Sequence, residues 1–343
     1  MAEPVLVVEH LVRHFPQRRS LGALLRREPP GLVRAVDDIT FSVSPGEVLA
    51  IVGESGCGKT TTANLLLGLD QPTSGRITLS GRHVAELDRS GLKELRRHAQ
   101  IIFQDPYESL NPRRSVLETV AESLDVHGLG GSKDEVRDKV CRALDQAGLS
   151  PPEHFLHRRP SELSGGQRQR VCIAGALILG PDVLIADEPV SMLDVSTRAE
   201  ILNLIATLAS EEGVAVVMIT HDLSTVAAYS HRLAVMYLGR IVETGPTQRV
   251  LAEPQHPYTQ ALVSVVPVPD PQRREEWVIL EGETPDPSRV PTGCRFHPRC
   301  SEVFAPCDRV DPPLYQLDDA HEAACLLHDP EHAAASSTPN AAT

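Results

Sequence analysis

Short apolar runs alternate with stretches of helical periodicity over most of the chain. Val48 to Val52 is a continuous apolar run, and a stretch with helical spacing follows it from Thr60 to Leu69. Val183 to Ala186 is a second such run, and Val214 to Ile219 is a third, rich in β-branched residues. Strands that are apolar throughout are typical of parallel sheets covered on both faces. The pattern therefore predicts an α/β core.

Other runs flank this core. Val5 to Leu11 and Ile39 to Val43 predict strands of an antiparallel β-layer near the N-terminus. Leu233 to Leu238 and Arg240 to Thr244 predict a hairpin around Gly239.

The polar and proline-rich stretches predict the domain organisation. Residues 105–175 are mostly helical and charged, which predicts a separate helical lobe. Proline becomes frequent and helical signals fade after about residue 245, so the predicted domains are 1–245 and a smaller C-terminal extension, 246–330. Residues 331–343 are rich in Ala, Ser and Thr and are predicted to be a disordered tail.

Composition narrows the functional classes. The chain has 343 residues and a formal net charge of −13, which argues against binding nucleic acid through bulk charge. No apolar run has the length of a membrane span, and no signal peptide is evident. A cytosolic chain is expected, in which the seven cysteines would not form structural disulfides. The basic insertion at 16–34 is interpreted as a solvated surface loop.

The segment GESGCGKT, Gly53 to Thr60, matches the phosphate-binding pattern G-x-x-x-x-G-K-[ST] between a strand and a helix. Glycines let the backbone N–H groups surround phosphates, and the helix that follows points its positive end at the same anion. Lys59 is expected to reach the β and γ phosphates of ATP, and Thr60 to bind Mg²⁺. The predicted nucleotide-binding residues here are Gly53, Glu54, Ser55, Gly56, Cys57, Gly58, Lys59, Thr60 and Thr61.

Asp187 and Glu188 follow the apolar run Val183 to Ala186 directly. Open α/β sheets bind ligands at the carboxyl ends of their strands, so both carboxylates are expected beside the phosphates. Asp187 is predicted to belong to the Mg²⁺ shell, and Glu188 to polarise the attacking water.

The segment LSGGQ, Leu163 to Gln167, opens a second stretch of helical periodicity and so forms a second anion-binding helix N-terminus. One chain with one nucleotide has no use for two such sites. Here the chain resembles the ATP-binding subunits of ABC transporters, in which two ATPase domains pair head to tail. In that family each signature motif completes the ATP site of the partner's P-loop, which implies nucleotide contacts for Ser164, Gly165, Gly166 and Gln167.

The resemblance implies further roles, residue by residue. Gln104 in IIFQDP matches the Q-loop glutamine, which senses Mg²⁺ and the attacking water, and His221 in ITHD matches the switch histidine that contacts the γ-phosphate. Asp194 in SMLD matches the D-loop. Phe15 is the expected aromatic that stacks on adenine. A P-loop kinase or GTPase would lack LSGGQ and the histidine after it.

The segment HPYTQALV, His256 to Val263, and the later GCRFHPRC resemble the C-terminal extension of oligopeptide and dipeptide importer ATPases. The resemblance implies an ATPase subunit at the cytoplasmic face of the membrane that powers peptide uptake. Its implied partners are a second ATPase, with a heterodimer favoured over a homodimer, two transmembrane permease subunits and, indirectly, an extracytoplasmic binding protein. Nickel or opine import and a soluble, non-transport ABC ATPase are the alternatives.

Four cysteines cluster in this extension, and three interpretations compete. Four thiolates could hold a [4Fe–4S] cluster, as similar extensions in the family do, or a tetrahedral Zn²⁺. The thiols could also be unligated. A short proline-rich segment needs a metal or cluster to hold its shape. The spacing lacks a C-x₂-C pair, which weakens the zinc interpretation, so the resemblance favours the iron–sulfur cluster. The predicted ligands are Cys294, Cys300, Cys307 and Cys325.

Overall fold

The computed structural model describes residues 3–17, 31–266, 280 and 282–332. Its strands are β1 (Leu6–Pro16), β2 (Leu32–Val43), β3 (Val48–Val52), β4 (Ser74–Leu79), β5 (Arg82–His83), β6 (Ala99–Ile102), β7 (Val183–Asp187), β8 (Ala215–Thr220), β9 (Arg232–Tyr237), β10 (Arg240–Pro246), β11 (Tyr315–Gln316) and β12 (Glu322–Ala323).

The α-helices within these ranges are α1 (Lys59–Leu66), α2 (Arg89–His98), α3 (Pro106–Ser109), α4 (Val116–His127), α5 (Lys133–Gln146), α6 (Gly165–Leu177), α7 (Val195–Glu212), α8 (Leu223–Tyr229), α9 (Thr247–Ala252) and α10 (Pro257–Ser264). Short 3₁₀ turns lie at Val84–Glu86, Pro152–His154, Pro160–Glu162, His297–Arg299 and Leu326–His328. Among the described residues no helix combines the length and apolarity needed to cross a membrane.

The central sheet has the strand order β11-β12-β10-β9-β3-β8-β7-β6. Its core strands are parallel, with β3 between β8 and β9 and with β7 between β6 and β8. Because parallel strands point their carboxyl ends to the same edge, the loops after β3, β6, β7 and β8 meet there. The predicted α/β fold class is confirmed.

Alternation along β7 shows how the sheet is covered on both faces. Val183 and Ile185 belong to the core that packs under the N-terminal strands, whereas Leu184 and Ala186 belong to the core shared with the helical lobe. Successive side chains of a strand point to opposite faces, so an apolar run can serve two cores at once. This explains why β7 has no polar position before Asp187.

The antiparallel N-terminal sheet has the order β2-β1-β4-β5. Leu6 pairs with Val43, and the register shifts between Val8 and Leu11, where the strand bulges. Most of the basic insertion predicted at 16–34 lies outside the described residues, which resume at Gly31.

The helical lobe is built from capped helices. The Ser115 side chain accepts from the Glu118 N–H, and the Glu118 carboxylate accepts from Ser115, which fixes the start of α4. Ser132 and Glu135 form the same reciprocal pair at α5. Both helices pack with α6 around a shared apolar core.

The C-terminal extension is part of the central sheet. Glu243 of β10 pairs with Ala323 of β12, so the last hairpin extends the sheet edge. Tyr258 and Phe296 are buried against Tyr237 of β9, with the Tyr237 and Tyr258 ring centroids 4.7 Å apart. The boundary near residue 245 stays a prediction, and most of the tail predicted at 331–343 lies outside the described residues.

Candidate active site at the strand ends

Four loops bring polar side chains to one edge of the central sheet. Gly53 follows β3, Gln104 lies shortly after β6, Glu188 follows β7 and His221 follows β8. The cleft at this edge measures about 620 Å³. Its lining residues are Val33, Ala35, Ser55, Gly56, Gly58, Lys59, Thr60, Thr61, Gln104, Glu188, His221 and Pro287.

The P-loop has the conformation that its glycines allow. Gly58 has φ +111°, and a Cβ there would overlap the carbonyl oxygen of Ala35, so no larger residue fits. Lys59 is buried, and its Nζ donates to the carbonyl oxygens of Gly53 at 2.6 Å and Glu54 at 3.1 Å. This backbone cradle above the N-terminus of α1 fits the phosphates of a nucleotide.

Glu188 is held between two polar neighbours. The Gln104 Nε2 donates to Glu188 Oε2 at 3.0 Å, and His221 Nδ1 lies 2.9 Å from Glu188 Oε1. Glu188 itself has φ +47°, a left-handed conformation that is costly for a residue with a side chain. Such strain is typical of functional positions, and here it turns the carboxylate away from the end of β7 toward the cleft.

Asp187 and Thr60 provide the oxygen ligands that Mg²⁺ prefers. Asp187 ends β7 and is buried, and the Thr60 hydroxyl hydrogen-bonds to its carboxylate. Burial raises the pKa of Asp187 above its ordinary value, and the neighbouring negative charge of Glu188 raises it further. A divalent cation between Asp187 and the phosphates would relieve both effects, so the residues present fit the ion.

The signature segment lies elsewhere. Ser164 caps α6: its N–H donates to Gln167 Oε1 at 3.1 Å, and its Oγ accepts from the Gln167 N–H at 3.3 Å. Ser164 is exposed, and neither it nor Gly165, Gly166 or Gln167 lines the cleft. The nucleotide contact expected for this segment stays a prediction.

Neither Asp194 nor Phe15 is among the residues that line the cleft. Asp194 caps α7, and hydrogen bonds from the Ser196 hydroxyl and from Thr197 hold its pKa far below the ordinary range. Phe15 lies on β1 opposite Val33, with the Arg13 guanidinium 4.3 Å from its ring centroid. The proposed adenine contact of Phe15 stays a prediction.

Sequence reasoning missed three residues of the cleft wall. Val33 and Ala35 belong to β2, and Pro287 comes from the C-terminal extension and accepts a hydrogen bond from the Arg34 N–H at 3.1 Å. No motif marks these positions. The run of alternating residues in β2 was the only signal available.

The iron–sulfur prediction for the extension is wrong. The described residues include all four cysteines, yet they contain no group of three or more His, Cys, Asp or Glu side chains that could hold a metal ion, which also removes the zinc alternative. Burial raises the pKa of Cys294 and Cys300 to about 12 and that of Cys325 to about 11. Protonated thiols pack as small apolar groups, and Cys294 and Cys300 do so against the core around Phe296.

Comparison with known proteins agrees with this geometry. The family described as "ABC transporter" matches residues 36–191, and "Oligopeptide/dipeptide transporter, C-terminal region" matches residues 242–307. The probable peptide ABC transporter ATP-binding protein y4tS of Sinorhizobium fredii is 46% identical over 97% of this chain and 93% of its own length. The dipeptide transport ATP-binding protein DppF of Escherichia coli is 43% identical over 92% of both chains. Neither description names an iron–sulfur cluster.

Solved structures show the same fold. The dimeric post-hydrolysis state of the ATP-binding cassette MJ0796, bound to ADP and Pi, covers 71% of this chain and 98% of its own, with 29% identity and a TM-score of 0.61. The cbiO1 protein of Clostridium perfringens, part of an ABC transporter complex, covers 73% of this chain and 92% of its own, with 32% identity and a TM-score of 0.62. The P-loop, the strand-end carboxylates and these relatives together show that this chain belongs to the ABC transporter family, as an ATPase of the branch that carries the oligopeptide/dipeptide C-terminal region.

Proposed function

We propose that this chain hydrolyses ATP to power the uptake of dipeptides and oligopeptides through an ABC importer. The observation that carries the proposal is Glu188, held between Gln104 and His221 at the mouth of the P-loop cleft. The C-terminal region and the peptide transport proteins that the chain resembles support the substrate class.

The chemistry follows from the positions of these side chains. Glu188 would accept a hydrogen bond from the attacking water and raise its nucleophilicity as a general base. His221 and Gln104 orient the Glu188 carboxylate, and Lys59 would stabilise the charge on the transferred phosphoryl group. Mg²⁺ held by Thr60 and Asp187, with Gln104 nearby, would neutralise part of the phosphate charge.

Two copies of the ATPase unit would complete each site. The cleft of one chain lacks any contact from LSGGQ among its described lining residues, and the N-terminus of α6 is exposed. A second ATPase placed head to tail would bring its own Ser164-equivalent helix end to the γ-phosphate. The similar ATP-binding cassette MJ0796 is dimeric in its ADP- and Pi-bound structure, which supports pairing. We favour a related but distinct partner ATPase, hence a heterodimer.

The remaining partners follow from transport itself. Two transmembrane permease subunits would dock beside Gln104, where Phe103 and Tyr107 are exposed. The chain would then lie at the cytoplasmic face of the membrane, and an extracytoplasmic binding protein would deliver the peptide. Closure of the ATPase pair on ATP and its release after hydrolysis would drive the permease between its two states.

The test is co-expression with the two permease genes and the binding-protein gene of the same locus. We expect the chain to co-purify with two polytopic membrane proteins, and vesicles containing the complex to take up a labelled dipeptide only with ATP. The same complex carrying Glu188→Gln serves as the matched inactive control. ATP-dependent uptake of Ni²⁺ but no peptide would contradict the substrate class, and absence of any permease from the purified complex would contradict the transport role.

A further inference from the structure

Glu54 occupies a variable position of the P-loop pattern, yet its side chain has defined partners. The Arg299 guanidinium binds the Glu54 carboxylate through two nitrogens, with Nη1 2.9 Å from Oε2 and Nη2 3.2 Å from Oε1. The Thr284 hydroxyl donates to the same carboxylate. Arg299 and Thr284 both belong to the C-terminal extension. The Glu54 side chain is therefore bound by the extension.

The backbone of Glu54 is held as well. Its N–H donates to the hydroxyl of the buried Tyr258 at 2.9 Å, and its carbonyl oxygen accepts from Lys59 Nζ at 3.1 Å. The extension therefore binds the side chain and the N–H of Glu54. The carbonyl oxygen of the same residue binds Lys59 of the P-loop. A shift of the 53–54 peptide would move the ammonium group that faces the phosphates.

The Arg299–Glu54 ion pair is largely shielded from solvent. The side chains of Arg299 and Glu54 are 8% and 25% exposed, so water screens them less than a surface pair. Charge-assisted bidentate bonds of this kind fix geometry as well as charge, and lysine cannot reproduce their planar fork.

The Arg299 side chain is committed to this contact. Its Nη1 also donates to the Thr284 hydroxyl at 3.3 Å, and that hydroxyl in turn binds the Glu54 carboxylate. The guanidinium is thus anchored by its two terminal nitrogens, both of which bind Glu54. The extension also reaches the cleft itself, because Pro287 lines it.

We propose that Arg299 is a positioning residue of the ATP site: it acts through Glu54 to hold the P-loop and Lys59 in the conformation that receives phosphates. The C-terminal extension then helps to position the ATP site of its own chain. The inference rests on ATP binding by the cleft and not on the identity of the transported solute.

The experiment measures the Kd of a fluorescent ATP analogue for the full chain, with its apo melting temperature alongside. We expect Arg299→Gln to weaken nucleotide binding by about tenfold, the effect of one lost charge-assisted hydrogen bond. Arg299→Lys should show a smaller loss, because it keeps the charge and loses the fork. The matched control is Arg309→Gln, since Arg309 lies in the same extension and its side chain is 78% exposed.

A double-mutant cycle separates positioning from a general loss of structure. The double variant Glu54→Gln, Arg299→Gln should raise the Kd by much less than the product of the two single-variant factors. Both changes remove the same interaction, so the second change adds little. Multiplicative effects would overturn the proposal, as would a Kd within twofold of wild type for folded Arg299→Gln. If Arg299→Gln does not fold, Thr284→Val and Arg299→Lys supply the same comparison. A chain that binds ATP normally but drives no peptide uptake would contradict the proposed function and leave this inference intact.

Discussion

The guanidinium of Arg295 and the carboxylate of Asp37, 258 positions apart in sequence, form a buried ion pair. Arg295 also donates to the carbonyl oxygen of Leu238, and His14 Nε2 lies 2.7 Å from the other oxygen of Asp37. One side chain of the C-terminal extension therefore ties together the N-terminal sheet and the β9–β10 turn. This contact shares no residue with the Arg299–Glu54 pair, so each can be removed by its own substitution.

Arg295→Leu should destabilise the protein strongly at neutral pH. Removing one partner of a buried ion pair costs about 3 to 5 kcal/mol when the other charge is left alone. His14 and Arg34 remain beside Asp37 in this variant, so the loss should lie at the lower end of that range. Denaturant unfolding of the purified chain measures the difference. Arg309→Leu, at an exposed position of the same extension, should change the free energy of unfolding by less than about 0.5 kcal/mol. Equal stability of Arg295→Leu and wild type would show that the pair is not formed.

The same pair predicts a dependence on pH. Burial acts to raise the pKa of Asp37, but the hydrogen bond and charge of Arg295, aided by His14, hold that pKa below its ordinary value. A lowered folded-state pKa contributes stability that is complete above about pH 4 and is lost on further acidification. The destabilisation by Arg295→Leu should therefore shrink as the pH falls below about 4. A difference that stays constant down to pH 3 would contradict the assignment.

His256 should make the chain sensitive to mild acid. Burial lowers the pKa of this histidine to about 3, so the folded chain keeps it neutral while its Nδ1 accepts from the Tyr258 N–H. Its contribution is complete above the unfolded-state pKa of 6.5 and is lost as the pH falls toward 3. The free energy of unfolding should drop by about 2 kcal/mol between pH 6.5 and 5 from this group alone.

His256→Asn tests this prediction, because asparagine can still accept from the Tyr258 N–H but does not titrate. In a plot of unfolding free energy against pH, the slope of the variant should be smaller by the contribution of about one bound proton. His157→Asn, at an exposed histidine of the helical lobe, is the matched control substitution. An unaltered slope in His256→Asn would show that folding does not lower the pKa of His256, which would contradict the prediction.

Glu188→Gln should keep ATP binding and lower the rate of hydrolysis by about 10²- to 10⁴-fold. The amide preserves the shape of the side chain and its contact with Gln104 but removes the base that polarises water, and general-base catalysis contributes on that scale. Phosphate release by the assembled transporter measures the effect, with the exposed Glu211→Gln as control. Near wild-type turnover would contradict the role of Glu188.

Lys59→Ala and Ser164→Ala should fail in different ways. Lys59 lines the cleft of its own chain, so its loss should weaken nucleotide binding to a single subunit. Ser164 lies outside that cleft, so its loss should spare single-subunit binding and impair ATP-dependent pairing, which light scattering or gel filtration measures. Equal loss of single-subunit affinity in both variants would contradict a shared site.

The amino-acid sequence determined the α/β core and the order of its ATP-site segments. Buried parallel strands are recognisable because a run such as Val183 to Ala186 must be apolar on both faces. Glu188 could be placed in advance near the P-loop because it directly follows the apolar run Val183 to Ala186 and Asp187. Gln104 and His221 were expected there from the resemblance to ABC ATPases, and the structure brings both beside Glu188. These are local features, in which spacing along the chain specifies conformation.

Only the tertiary structure decided which contacts hold the C-terminal extension in place. The four clustered cysteines suggested a metal staple, whereas packing of Phe296 and Tyr258 on β9 and ion pairs from Arg295 and Arg299 hold the segment instead. Contacts across 245 or more positions depend on how separate elements pack, and no spacing along the chain encodes that. The pKa values of buried thiols depend on the same packing, because desolvation is a property of the folded surroundings.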